Sequence, residues 1–140
     1  MNATAGSADG VQTIIDRLGI KPDGIVMEIG FDSDIDAALR EAVVTYVGEL
    51  HDEGTDEVVD TVLLWWRDDD GDLVDVLMDA RGPMADDGIV WLLTPKPGRD
   101  GHIESADIAE AAPTAGLQST SSLNAGTDWV ATRLVAPRGR

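Results

Sequence analysis

Residues 58–66 read VVDTVLLWW, and residues 89–93 read IVWLL. Apart from Asp60 and Thr61, both stretches are apolar and lack the alternation typical of a strand with one solvated face. Continuous apolar runs of this length predict strands that are covered on both faces, as in a parallel sheet flanked by helices. The two stretches therefore predict an α/β fold: a small three-layer domain in which helices cover both faces of the sheet.

The segments around these two strands predict the other elements. Residues 25–29 predict a further strand that ends at Gly30, and Asp87 with Gly88 predicts a turn before the strand at residue 89. Residues 117–123 and 129–135 predict a closing hairpin, which places one antiparallel strand in a mostly parallel sheet. Apolar spacing and capping residues predict four helices: residues 11–18, a helix after a cap at Ser33 or Asp34, residues 72–80 with Asp72 as cap, and a helix from a cap at Ser105 to about Pro113.

The end of the second helix has two interpretations. The β-branched run at residues 43–47 either completes the helix or starts a short strand over residues 45–50. With that strand, the sheet order in chain numbering is 2-1-3-4-6-5. Without it, the first strand is an exposed edge, and a homodimer formed through that edge is expected.

Length and composition bound the class of protein. The chain has 140 residues, 43% hydrophobic content and no cysteine, which excludes a disulfide scaffold and a thiolate metal site. We expect a disordered tail at residues 1–8, a single domain over residues 9–137, and a frayed end at residues 138–140. No apolar run approaches the ~20 residues of a membrane span, and the N-terminus does not resemble a signal peptide. These features predict a soluble, cytoplasmic protein.

The formal net charge of -17 is unevenly distributed. Residues 1–87 contain 22 acidic and 5 basic side chains, whereas residues 88–140 contain 5 of each. A field of this sign repels nucleic acid phosphates and anionic membrane surfaces. We therefore expect neither nucleic acid nor a membrane as a partner.

A basic loop follows the strand at residues 89–93. It contains Lys96, Arg99 and His102, and two prolines stiffen it. Ligands of open α/β sheets bind outside the carboxyl ends of the strands. The loop is therefore the candidate ligand-binding site, assisted by Arg67 if the two strand ends lie side by side. It would contact a small anionic ligand or an unknown protein; the alternative is an ordinary solvated loop.

Other polar clusters have simpler interpretations. Residues 68–72, DDDGD, resemble a calcium loop, but Leu77 stands where the EF-hand spacing requires a glutamate. We therefore interpret the segment as a solvated turn. His51 and His102 have no companions at metal-ligand spacing. Neither a metal nor a cofactor is expected.

Several motifs resemble known families. Residues 27–30 (MEIG), 87–90 (DGIV) and 115–117 (AGL), followed by the hairpin, resemble the Rossmann-like core of S-adenosylmethionine-dependent methyltransferases. Over residues 11–137 the chain resembles a small actinobacterial family of unknown function. The pieces that carry this second resemblance are LGIKP at 18–22, VLLWWR at 62–67, WLLTPK at 91–96, and Trp129 with TRLV at 132–135.

The methyltransferase resemblance implies that Glu28 and Gly30 would contact the cofactor. The chain departs from that pattern after Gly30, because Phe31, Asp32 and Asp34 stand where the family has closely spaced glycines. The segment between the second helix and Val58 is also too short for the family's further βαβ units. The resemblance thus implies a non-catalytic binding or regulatory module on a degenerate methyltransferase-like core. Two alternatives stay open: a diverged S-adenosylmethionine-dependent or other small-molecule transferase, and a structural subunit of a larger complex.

Overall fold

Helices and strands alternate along the chain before a closing hairpin. The computed structural model describes residues 14–137; the predicted tail at residues 1–8, the start of the first helix and the end at 138–140 lie outside the described residues. The elements are α1 (helical over the described residues 14–18), β1 (Val26–Ile29), α2 (Ala37–Val47), β2 (Val59–Trp65), α3 (Leu73–Arg81), β3 (Met84–Pro95), α4 (Ser105–Thr114), β4 (Gln118–Asn124) and β5 (Trp129–Val135).

The five strands form one sheet in the order β1-β2-β3-β5-β4. The α/β prediction is confirmed, and β1 to β3 pair in parallel. The expectation of a mostly parallel sheet is partly wrong, because the β3–β5 and β4–β5 pairings are both antiparallel. Only β5 runs against the other strands. Since β4 lies at the edge and pairs with β5 alone, reversing that one strand makes two of the four pairings antiparallel.

The apolar parts of β2 and β3 are buried on both faces, as their composition predicts. Alternate side chains divide between two cores, one beneath each pair of helices. The core on the α3 and α4 side includes Val62, Leu64, Val90, Leu92, Leu77 and Ile108. The core on the α1 and α2 side includes Leu63, Trp65, Trp91, Leu93, Leu18 and Leu39. The sheet is therefore the middle layer of three.

Residues 45–50 do not form a strand. The helix α2 continues through Val47 because Tyr46 and Val47 pack against the α1–α2 core, and it ends at Gly48. The strand β1 is consequently an edge of the sheet. His51 forms a one-residue bridge on that edge: its N–H donates to the Val26 carbonyl, and its carbonyl accepts from the N–H of Glu28, at 2.8 Å each. The bridge satisfies backbone groups that a partner strand would otherwise pair with, so this edge does not itself require a dimer.

The strand β3 begins at Met84, five residues earlier than predicted. Its pairing with β2 jumps from Val59–Met84 to Thr61–Ile89. The predicted turn at residues 87–88 is therefore wrong: these residues belong to a bulged stretch of the strand. Gly88 permits the close packing there, because a Cβ at this position would lie 2.4 Å from Cγ of Met84.

Two helix starts also differ from prediction. The N-cap of α2 is Asp36, whose carboxylate accepts from the N–H of Leu39 at 2.9 Å, and neither Ser33 nor Asp34 caps the helix. Ser105 is the first residue of α4, whereas the N-cap is Glu104, which makes no side-chain hydrogen bond to the helix. Asp72 caps α3 as predicted, accepting from the N–H of Asp75 at 3.3 Å.

Gly30 is expected to be essential where β1 lies against β2. Its φ is +84°, and a Cβ there would lie 2.1 Å from the Trp65 carbonyl oxygen. Gly98 has a similar φ of +88° but nothing within 4 Å of a Cβ. We expect Gly98→Ala to lower the free energy of unfolding by about 1–2 kcal/mol, which is the cost of the left-handed backbone. Gly30→Ala should lower it by more than about 3 kcal/mol, because β1 and β2 must also separate. Urea denaturation measures both; equal losses would contradict the close packing.

Candidate functional site

The parallel strands end at a common edge of the sheet. Gly30 follows β1, Arg67 lies two residues beyond β2, and Lys96 follows β3. Because these strands pair in parallel in this order, their carboxyl ends lie side by side, as the prediction for Arg67 and the basic loop required. This edge is the place where open α/β sheets bind ligands.

The side chain of Arg67 occupies the edge and is 10% exposed. Its Nε donates to Oδ2 of Asp34 at 3.0 Å, and its Nη2 donates to Oδ1 of the same carboxylate. Its Nη1 donates to the Gly30 carbonyl at 2.9 Å and to Asp70 Oδ2 at 3.1 Å. Two carboxylates and a backbone carbonyl thus surround the guanidinium, which has the planar fork geometry that suits bidentate pairing.

Trp129 closes this network from the hairpin. The guanidinium lies 5.3 Å from the centre of its ring, within the range of a cation–π contact. The indole N–H donates to the backbone carbonyl of Asp34 at 3.2 Å, and the ring makes an edge contact with Trp65 at 5.0 Å between centres. The segment after β1 is therefore held against both β2 and β5.

The charges in the network stabilise one another. Hydrogen bonds from Arg67 lower the pKa of Asp34, although partial burial works in the opposite direction. For Arg67, burial disfavours the charged form, but the hydrogen bonds to Asp34 and Asp70 outweigh it and raise the pKa of the guanidinium. The pair of Asp34 and Arg67 thus favours the charged form of both groups.

Glu28, a predicted cofactor contact, is engaged by the chain itself. Its carboxylate is 7% exposed and accepts from Nε of Arg40 at 2.8 and 3.0 Å. The indole N–H of Trp65 donates to it at 3.0 Å. The hydrogen bonds to Glu28 raise the pKa of Arg40. Gly30, the second predicted contact, lies against the backbone of β2 as described above.

The basic loop contacts the turn of the hairpin. Nζ of Lys96 donates to the Gly126 carbonyl at 3.3 Å, and the Lys96 N–H donates to the Asp128 carbonyl at 2.9 Å. Arg99 forms an ion pair with the Asp128 carboxylate, and both side chains are about half exposed. His102 places Nδ1 2.9 Å from the Pro95 carbonyl and Nε2 3.2 Å from the Glu104 carboxylate.

Arg67 lies next to the basic loop, but its guanidinium and the cations of the loop do not form one ligand-binding surface. The N–H of Asp68 donates to the Gly101 carbonyl at 3.0 Å, and a Cβ at Gly101 would lie 2.9 Å from Cβ of Arg67. The Arg67 guanidinium, however, bonds to Asp34 and Asp70, while Lys96 and Arg99 bond to residues 126–128. The structure brings Arg67 together with three residues that the sequence does not single out as site residues: Asp34, Asp70 and Trp129.

Within residues 14–137, no group of three or more His, Asp or Glu side chains is arranged to hold a metal ion. In the same range, no helix has the length and apolar character needed to cross a membrane.

The Asp34–Arg67 pair predicts an acid-dependent loss of stability. Because the pKa of Asp34 is lowered by folding, its contribution is complete above the unfolded-state value of about 3.9 and is lost as pH falls through the lower folded value. We expect Asp34→Asn to be less stable than wild type near neutral pH, with the difference in the free energy of unfolding shrinking below about pH 4. Urea titrations across this range measure the difference.

Asp69→Asn is the matched control, since Asp69 lies in the exposed turn next to Asp70 and makes no hydrogen bond to the described residues. Its difference from wild type should not follow that pH profile. An Asp34→Asn difference that stays constant between neutral and acid pH would contradict the ion pair.

The fold matches solved methyltransferase structures. A S-adenosylmethionine-dependent methyltransferase from Aquifex aeolicus superimposes with a TM-score of 0.63 over 89% of this chain and 88% of that one, at 9% identity. An O-methyltransferase from neocarzinostatin biosynthesis, in complex with S-adenosyl-L-homocysteine, gives 0.62 over 94% of this chain and 58% of its own, at 14% identity. Identities this low show a shared fold.

Sequence comparison gives nearer relatives. Uncharacterised proteins of Mycobacterium tuberculosis and Mycobacterium bovis are 55% identical over 139 residues, which is 99% of this chain and 87% of theirs. The family model of DUF3052, a protein of unknown function, matches residues 15–138. The predicted resemblance to an uncharacterised actinobacterial family is therefore confirmed, and the chain belongs to the DUF3052 family.

Proposed function

We propose that the protein is a non-catalytic binding or regulatory module of the cytoplasm, formed by residues 9–137 on a degenerate methyltransferase-like core. The observation that carries the proposal is the Arg67 network at the carboxyl edge of the sheet. A cofactor at this edge would have to displace a guanidinium that is 10% exposed and bonded to Asp34, Asp70 and the Gly30 carbonyl. Removing a partner from this guanidinium costs stability, although less than the about 3–5 kcal/mol of a fully buried pair, because the Asp34 side chain is 52% exposed.

The residues that would receive the cofactor support the same conclusion. The Glu28 carboxylate accepts hydrogen bonds from Arg40 and Trp65, so it has little capacity left for a ligand hydroxyl. Gly30 has no room for a side chain, since the Trp65 carbonyl of β2 lies where its Cβ would stand. The glycine thus serves strand packing rather than access to a cofactor.

S-adenosylmethionine binding tests this proposal. We expect isothermal titration calorimetry with about millimolar ligand to give no saturable heat and thermal denaturation to show no shift, because a ligand that binds only the folded state raises its stability. An active methyltransferase of the same fold, titrated under identical conditions, is the positive control. Saturable binding to the DUF3052 protein would overturn the proposal and favour the diverged transferase.

A second candidate function, contact with an anion, rests on Lys96. Within the described part of the chain its ammonium bonds to a backbone carbonyl and has no carboxylate partner, so its charge is not compensated locally. Arg99 lies in the same loop, paired with an exposed Asp128 that an anionic ligand could replace. The partner classes that fit are a small anionic ligand, an acidic segment of an unknown protein, or a second copy of this chain. The acidity of residues 1–87 argues against nucleic acid.

Phosphate titration tests the anion contact. We expect inorganic phosphate to shift the amide resonances of Lys96 and of residues 98–102. The double variant Lys96→Ala with Arg99→Ala should weaken this binding by at least about fivefold, as expected for losing hydrogen bonds to a charged group. Lys21→Ala is the control, because Lys21 is exposed and lies before β1, away from the loop. Equal binding by wild type and the double variant would exclude the loop as an anion site.

A further inference from the structure

A cavity lies on the α4 side of the sheet, next to the basic loop. It has a volume of about 360 Å³, within the range of small-molecule sites. Its lining combines apolar and hydroxyl-bearing side chains: Thr94, His102, Ser105, Ile108, Val130 and Thr132. The Arg67 network does not contribute to this lining.

Thr94 is the buried polar residue of the cavity. It is 2% exposed, and strand alternation places its side chain on the same face of β3 as Leu92, which packs in the α3–α4 core with Ile108. Its hydroxyl makes no hydrogen bond to the described residues, and it is not among the side-chain oxygen and nitrogen atoms that are both fully buried and without a partner. The hydroxyl therefore reaches the cavity that Thr94 lines, where water or a ligand can bond to it.

The start of α4 offers further unpaired donors beside Thr94. The N-cap Glu104 forms no side-chain hydrogen bond to the helix, whereas α2 and α3 are both capped by aspartate. The first backbone hydrogen bonds of α4 come from Asp107 and Ile108, so the N–H of Ser105 is free of helix partners, as at the start of any helix. Ser105 is exposed and lines the cavity, where this N–H can bond to water or to a ligand. The cavity therefore presents hydroxyl groups and a backbone donor around an apolar floor.

Charge restricts the ligand class. The cavity contains no lysine or arginine, and the carboxylates of Glu104 and Asp107 lie at the start of α4. These carboxylates and the net charge of -17 disfavour an anion. The positive end of the α4 dipole offsets part of the attraction of these carboxylates for a cation.

We propose that this cavity is the binding site of the module for a small uncharged molecule that has an apolar body and a carbonyl or hydroxyl oxygen. Ile108 and Val130 would contact the body, and the Thr94 hydroxyl and Ser105 N–H would donate to the oxygen. The inference deepens the proposed function, on which it rests, by giving that function a location and a ligand class.

Three probes of one shape but different charge test the ligand class: benzamide, benzoate and benzylamine. We expect benzamide to shift the amide resonances of Thr94, Ser105 and Val130 in a saturable manner, with a dissociation constant in the millimolar range typical of a fragment. Benzoate and benzylamine should bind at least about fivefold more weakly. Tighter binding of either charged probe would overturn the assignment of an uncharged ligand, and no saturable shift with any probe would overturn the site.

Thr94→Val separates a ligand-binding role from a structural one. It keeps the shape of the side chain and removes the hydroxyl, so benzamide binding should weaken about fivefold while the melting temperature stays unchanged or rises. Thr61→Val is the matched control, a buried strand threonine that is 5% exposed and lies outside the cavity, and it should leave benzamide binding unchanged.

A lower melting temperature for Thr94→Val with unaltered benzamide binding would show that the hydroxyl is structural and would overturn the proposal. The benzamide and S-adenosylmethionine titrations report on separate surfaces. Absent benzamide binding would therefore contradict the proposed ligand site in the cavity. Saturable S-adenosylmethionine binding would contradict the non-catalytic assignment.

Discussion

The buried guanidinium of Arg67 is the interaction on which the carboxyl edge of the sheet depends. A charge taken out of water is tolerated only when carboxylates and carbonyls replace the lost hydration. Here those acceptors come from two separate segments: the one after β1, with the Gly30 carbonyl and the Asp34 carboxylate, and the one after β2, with Asp70. Trp129 adds a ring from the hairpin. Charge compensation thus fixes the loops after β1 and β2, at the edge where open α/β sheets bind their ligands.

This constraint explains how a methyltransferase-like fold is compatible with a closed edge. In the fold class, ligands bind where strand ends leave a crevice. In this chain the side chain of Arg67 lies at that position. Its bidentate partner is Asp34, which belongs to the segment where the methyltransferases that the chain resembles have closely spaced glycines. The departure from the family's glycine pattern after Gly30 and the cation after β2 therefore belong to one arrangement, because Asp34 pairs with Arg67.

The layers of the fold follow directly from sequence, because continuous apolar runs leave a strand no solvated face. The partners of Arg67 do not follow, because the first 87 residues contain 22 acidic side chains and nothing local distinguishes Asp34 from the others. Asp34 has the position of a helix cap, yet its pairing with Arg67, 33 residues away, leaves the cap to Asp36. The bulge before residue 89 does not follow from sequence for a similar reason. Asp87 and Gly88 favour a turn locally, whereas pairing with β2 keeps the segment extended.

The charge distribution connects the closed edge to the open cavity. Acidic side chains are concentrated in residues 1–87, where some of them compensate Arg40 and Arg67. The cavity beside Thr94 is formed by residues 94–132, within the part of the chain whose charges balance. An uncharged ligand there neither gains nor loses from the field of the acidic part, so its affinity depends on shape and on the donors that face the cavity. On our proposals, the same sequence thus removes one site by compensating its charges internally and keeps another whose hydroxyl and backbone donors face the cavity.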